Sequence, residues 1–166
     1  MKLVLKIFLL IQIINFVIAQ NFIPANGISL NQTQVFFKWP QISKANSYEI
    51  FINNNQFIIE SELNSIIIDD FNWGESYSWY VCGVNQYNEI IRCFDENYFT
   101  INSLHEDYPS NVTVLEIDEN QYQDGITLLD YESLNFSAAI DKFGNPVWFS
   151  NNDNFRLTRI LATQFL

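Results

Sequence analysis

The chain has 166 residues, with 19 acidic against 8 basic side chains and a formal net charge of −11 at pH 7. A surface of that sign repels phosphate backbones and anionic lipid heads, so nucleic acid is not an expected partner. The acidity otherwise reports solubility and names no ligand.

The chain opens "MKLVLKIFLLIQIINFVIAQ", with Lys2 and Lys6 ahead of an apolar run from Ile7 to Ile11 and then Val17, Ile18 and Ala19. This order predicts a secretory signal peptide over residues 1–19, cut after Ala19. A membrane span needs about 20 mainly apolar residues, and Gln12 and Asn15 interrupt this stretch. The expected location is therefore extracellular or the lumen of the secretory pathway, with no membrane contact after cleavage. Three sequons fit that compartment and mark Asn31, Asn111 and Asn135 as candidate glycosylation sites.

Beyond the signal, Phe, Ile, Tyr and Trp are plentiful and Gly and Pro scarce, which favours pleated, half-buried backbone. "TQVFFKWP" alternates Val35, Phe37 and Trp39 against Phe36 and Lys38, and stops at Pro40. "SYEIFIN" sets Tyr48, Ile50 and Ile52 on one face and Glu49, Phe51 and Asn53 on the other. "NNNQ" reads as a turn into the strand "FIIE", and "NSIIIDD" as a further strand. "SYSWYVCGV" alternates Tyr77, Trp79 and Val81 against Ser78, Tyr80 and Cys82. Short strands with turn signals at regular intervals predict an all-β sandwich.

The two cysteines, Cys82 and Cys93, flank a polar turn. If "QYNE" closes a hairpin at Tyr87-Asn88, Cys82 lies opposite Cys93, Val84 opposite Ile91 and Gln86 opposite Glu89. Directly opposed residues bring their Cβ atoms within the reach of a disulfide, and an oxidising compartment would form it. Cys82 falls on the face away from Tyr77, Trp79 and Val81, so the bridge is expected on the outer surface, pinning the hairpin register. A thiolate metal site would need further Cys or His ligands, and the one histidine, His105, sits in a polar connector. The C-x-x-C spacing of a redox pair is absent.

These landmarks resemble a fibronectin type III module. "FIPANG" leads into the first strand, Trp39 ends the second, "ANSYEIFI" carries Tyr48, and in "FNWGESYSWYV" Phe71 stands six residues before Tyr77. In that family an apolar residue six before a tyrosine forms the corner where the chain crosses between sheets. The resemblance covers residues 21–102 and implies an immunoglobulin-like β-sandwich that meets other domains or proteins. Trp73 stands where many members have proline.

"SLHEDYPSN" reads as a linker over residues 103–111, after which the β pattern restarts. In "VTVLEID" Leu115 and Ile117 are the inward pair. Gly125 precedes a strand from Ile126 to Leu129, and "FSAAI" and "PVWFS" flank the turn formers of "DKFGN". Residues 112–166 resemble the entry to an arylsulfotransferase-type β-propeller, in which a "DG-x-TL" strand precedes an "IDxxGxxVW" hairpin. The matching residues are Asp124, Gly125, Thr127 and Leu128, then Ile140, Asp141, Gly144, Val147 and Trp148. The resemblance implies sulfuryl transfer between phenols through a histidine nucleophile with basic residues around it. None of that machinery maps onto His105, Arg156 or Arg159. One blade at most fits here, with an unpaired edge; either these strands pack onto the sandwich as an extension or the product is truncated, and "RLTRILATQFL" ending inside an apolar run favours truncation.

Other chemistries find little footing. Adjacent acids such as Asp69-Asp70 and Glu106-Asp107 point to opposite faces of a strand and read as solvated turns. "DENQYQDG" has Tyr122 and Gln123 where an EF-hand needs a ligand and a glycine. No G-x-S-x-G elbow, P-loop or dinucleotide motif occurs. Tyr80 and Tyr87 near the hairpin tip offer a carbohydrate- or protein-binding surface, against the simpler reading of rings buried in an aromatic sandwich. The expectation is a secreted, non-catalytic structural or interaction module with no catalytic residue, no metal and no cofactor. The alternatives are the front of an active aryl sulfate sulfotransferase, and an adhesion or carbohydrate-binding module.

Overall fold

The computed structural model describes residues 22–53, 56–69, 71–106, 108, 125–131 and 136–150. The predicted signal peptide, Asn111, Asn135, the Leu115 and Ile117 pair and the run after Ser150 lie outside the described residues. Among the described residues the chain is all-β, with no helix. The strands are β1 (Ile28–Leu30), β2 (Val35–Lys38), β3 (Ser47–Ile52), β4 (Phe57–Ser61), β5 (Ser65–Ile68), β6 (Ser76–Val84), β7 (Ile90–Cys93), β8 (Asn97–Ile101), β9 (Thr127–Tyr131), β10 (Phe136–Ile140) and β11 (Pro146–Phe149).

Six strands form one sheet in the order β1-β8-β6-β3-β4, with β7 pairing the far end of β6. Strand β1 runs parallel to β8, and the other pairs are antiparallel. Strands β2 and β5 form a second, antiparallel sheet, with Phe37 opposite Ile66. The two sheets share one core because their period-2 faces are apolar on the same side. Val35 and Phe37 from β2, Ile68 from β5, Tyr48, Ile50 and Ile52 from β3, Tyr77, Trp79 and Val81 from β6, and Phe99 and Ile101 from β8 are all buried in it. The alternation expected for β2, β3 and β6 is the one observed.

Rings close this core. Phe37 meets Trp79 edge-on at 4.9 Å, Phe71 meets Tyr77 at 4.7 Å, and Trp39 meets Tyr48 at 5.4 Å. Edge-to-face pairs contribute about 0.5–1.5 kcal/mol beyond the burial of the rings. The indole N–H groups of Trp39 and Trp79 are buried and meet no protein acceptor among the described residues.

The crossing from β5 to β6 is built on Phe71 and Tyr77. The Asn72 backbone N–H donates to the Tyr77 hydroxyl at 2.8 Å while Phe71 is buried beneath the turn. Gly74 completes the corner at φ 80°, a left-handed value that an L side chain rarely adopts, and its N–H donates to the carbonyl of Ile101.

The β6–β7 hairpin corrects one expectation. Cys82 does pair with Cys93, but Val84 pairs with Ile90, not Ile91, because the register shifts between Gly83 and Val84. The turn spans Asn85 to Glu89. Asn85 Oδ1 accepts the N–H groups of Tyr87 and Glu89, and Asn88 takes φ 61°. A residue in the left-handed region after a tight turn is the usual source of a bulge in three-residue hairpin loops.

The third sheet has the order β11-β10-β9. Its first strand starts at Thr127, leaving Ile126 outside it and 49% exposed, where the sequence pattern placed Ile126 in the strand. The turn in "DKFGN" forms as expected: Asp141 Oδ1 accepts from the N–H groups of Phe143 and Asn145, and Gly144 has φ 86°. Of the two edges of this sheet, β9 pairs with no strand but β10 among the described residues, while the β11 edge is covered. Gln32 bridges Trp148 antiparallel, Thr33 N–H donates to Val147 O at 3.0 Å, and Phe149 N–H donates to Asn31 O at 3.1 Å. The segment leaving β1 thus acts as a short fourth strand for the third sheet.

Candidate interaction surfaces

Cys82 and Cys93 are joined in a disulfide across the paired positions of β6 and β7. The parity argument holds, since Cys82 lies outside the main core cluster on the face shared with Tyr80. Its expected exposure does not hold. Cys82 is 1% exposed and only Cys93 reaches solvent. On the same face Phe51 stacks on Tyr80 at 4.7 Å with an interplanar angle of 7°, so this outer surface carries its own small apolar layer. Tyr87 at the hairpin tip is 73% exposed, while Tyr80 is half-buried.

The edge formed by β4 exposes large apolar side chains. Strand β4 pairs with β3 on one side and with no other strand among the described residues. Phe57 and Ile58 are 54% and 56% exposed, and on the neighbouring strand β5 Ile67 is 66% exposed. Between β4 and β5 the two sheets part to leave a groove of about 330 Å³, lined by Ile52, Phe57, Ile59, Ile68 and Phe71. Glu60 and Glu62 stand exposed beside it.

Trp73 joins the two β units. It packs against the main core and against a second, small cluster of Tyr108, Ala138, Ile140 and Phe149. Its ring lies 5.3 Å from Phe149, and its Nε1–H donates to Pro146 O at 3.3 Å. Tyr108, in the predicted linker, is buried and its hydroxyl donates to the carbonyl of Ala139. The His105 ring lies 5.7 Å from Phe149. Sequence patterning missed the joining role of Trp73 and Tyr108. The available signals were an indole in the turn after Phe71 and a lone tyrosine in a polar connector.

Asn31 sits at this junction. Its Oδ1 accepts from Asn102 Nδ2 at 2.6 Å, and Thr33, the hydroxyl residue of its sequon, is buried. Beside the junction opens a cleft of about 360 Å³ whose lining includes Gln34, Asp69, Asn72, Trp73, Asp141 and Asn145. Elsewhere, Glu96 and Tyr98 perturb one another. The Tyr98 hydroxyl donates to Glu96 Oε2 at 2.6 Å, holding the carboxyl below its ordinary range and raising the phenol.

No family model matches the chain, and no curated protein matches it. Among solved structures the chain is similar to the α-L-rhamnosidase from Dictyoglumus thermophilum, with a TM-score of 0.39 and 10% identity, covering 70% of this chain. The chain spans 15% of that structure's length. Likeness of that degree carries no argument about architecture or activity.

Proposed function

We propose that the chain is a secreted, non-catalytic interaction module: a fibronectin type III-like sandwich carrying the first strands of an arylsulfotransferase-like propeller. Its partner is an extended protein segment with apolar and basic side chains, added antiparallel to the β4 edge. The observation that carries the reading is that edge, where exposed Phe57 and Ile58 border an apolar groove and lie beside Glu60 and Glu62. An unpaired strand offers backbone hydrogen bonds for affinity, and adjoining apolar pockets supply selectivity. The acidic flank favours a basic partner.

The strand order and the Phe71–Tyr77 corner support the sandwich reading. The antiparallel β9-β10-β11 run with its Asp141-to-Asn145 turn supports the propeller resemblance. The disulfide supports export. A fold alone names no activity.

Two measurements test the proposal. Eight-residue peptides alternating Val with Lys, titrated into the labelled full chain, should shift the amide resonances of Phe57 to Ser61, and Val/Glu peptides should not. Ile58→Pro should abolish the response. Peptides that leave these resonances unmoved overturn the interaction role. Incubation with 4-nitrophenyl sulfate and a phenol acceptor should give no transfer, and turnover would overturn the non-catalytic half.

A further inference from the structure

The cleft beside Trp73 lies between two β units whose walls are fixed independently. On one side the Asp141-to-Asn145 turn is held by the Asp141 carboxylate, which accepts the N–H groups of Phe143 and Asn145 through Oδ1 and the Asn145 side-chain amide through Oδ2, each at 2.8 Å. On the other side the Phe71-to-Gly74 corner is held by the Tyr77 hydroxyl. The floor is the pairing of Thr33 with Val147, and Trp73 ties the walls together through Pro146 O. A site bounded in this way is largely formed before any ligand arrives, as small-molecule sites at unit boundaries usually are.

The chemistry of the lining narrows the occupant. No Lys, Arg or His lines the cleft among the described residues, and the nearby Lys142 ammonium lies over the Phe143 ring at 5.3 Å. Asp69 and Asp141 put negative charge at the walls, so a phosphate, sulfate or carboxylate ligand is repelled. Gln34, Asn72 and Asn145 each present an amide with both donor and acceptor atoms. The Asn72 side-chain amide makes no hydrogen bond among the described residues, its backbone N–H alone being committed to Tyr77. Carboxylates and amides lining a cleft with an indole suit a ring of hydroxyl groups, each of which also donates and accepts, with an apolar C–H face to lie on the aromatic ring. The volume of about 360 Å³ sits near the lower end of small-molecule sites, which run from about 300 to 1,000 Å³.

We propose that this cleft is a binding site for a small neutral sugar, with Asp69, Asn72, Gln34 and Asn145 engaging its hydroxyl groups and Trp73 its apolar face. The site is distinct from the β4 edge and depends on neither family resemblance. The test is a nuclear magnetic resonance titration of the full chain with the methyl glycosides of glucose, galactose and mannose. Glucose 6-sulfate serves as the anionic comparison and choline as the cationic one. At least one neutral glycoside should shift the side-chain amide signals of Asn72, Gln34 and Asn145 saturably, while the sulfate and choline leave them in place. Asn72→Ala, which keeps the backbone bond to Tyr77, and Asp69→Asn should each weaken binding about tenfold, the loss of roughly one good hydrogen bond to a charged or polar partner. Silence of those signals with all three glycosides overturns the proposal. So do equal binding of the sulfate, preference for choline, or full binding by both variants. None of these outcomes bears on the peptide titration at β4, so the two proposals fail separately.

Discussion

The two β units solve the same burial problem with different materials. In the first, covering β1 to β8, nearly every inward position is Trp, Phe, Tyr, Ile or Val, and rings from both sheets meet inside one core. In the second, β10 buries Ala138 and Ala139, and the rings of its cluster come from beyond the sheet's middle strand: Phe149 from β11, Tyr108 from the connector and Trp73 from the first unit's corner. On the face of Ala138, Ile140 and Phe149 are joined by Tyr108 from the connector and Trp73 from the first unit. Among the described residues the first unit packs mainly on itself while the second shares Trp73 with it, so the second is expected to depend on docking.

That contrast can be broken most sharply at Trp79, which is fully buried amid Phe22 and Phe37. Trp79→Ala should cost about 3–5 kcal/mol and unfold both units together in a urea titration. A loss under about 1 kcal/mol would mean that the ring core is not what holds the first unit. Next in size is removal of the disulfide. Cys82→Ala with Cys93→Ala opens a loop with a sequence separation of 11 and should cost about 2–3 kcal/mol. The loss should appear as faster amide exchange in β7 before β3 is affected, since β7 pairs only with β6.

Trp73→Ala probes the dependence of the second unit directly. Trp73 is half-buried, so its loss should cost about 2 kcal/mol, roughly half the cost for a fully buried aromatic residue. Hydrogen exchange should accelerate in β10 and β11 while β3 and β6 keep their protection. Equal acceleration everywhere would show a single cooperative unit and remove the distinction drawn here.

What was legible in the sequence divides along the same line. Strands β2, β3 and β6 could be read because one parity of each is apolar throughout while the other mixes polar residues with Phe36, Phe51 or Tyr80, and parity decides which face turns inward. The Cys82–Cys93 pairing followed from symmetry about the turn. The bulge between Gly83 and Val84 did not, because parity says nothing of whether a loop holds two or three residues, and Asn88 takes the left-handed region without being glycine. The Phe71 and Tyr77 spacing marked the corner. The docking of β11 on Asn31 to Thr33, and the reach of Trp73 and Tyr108 into the small cluster, are contacts between segments far apart in the chain. No local period encodes such contacts. The candidate sugar cleft draws on three separate segments, so its residues had no pattern to announce them together.

The smallest effect expected lies on the first unit's surface, where the Tyr98 hydroxyl bonds the Glu96 carboxylate. The bond from Tyr98, and a lesser one from Ser78, lower the Glu96 pKa. A depressed carboxyl contributes stability that is present above its unfolded value and lost as pH falls through the folded one. Tyr98 is raised by the same bond, so its contribution is present below the ordinary phenol value and lost as pH rises through the raised one. Both groups are open to solvent, so the consequence is a change in titration and not a measurable change in stability. Tyr98→Phe should move the Glu96 carboxyl back up toward the ordinary range, followed by its side-chain carbon resonance, with the Ser78 bond left to hold part of the shift. If Glu96 titrates identically in the variant, the phenol bond does not form in solution. The surface of the first unit would then contribute nothing to its electrostatics at this point, and its order there would rest on the β6–β8 pairing of Ser78 with Tyr98 and on the bonds of the Tyr98 backbone to Asn26 Oδ1 and Gly27 N–H.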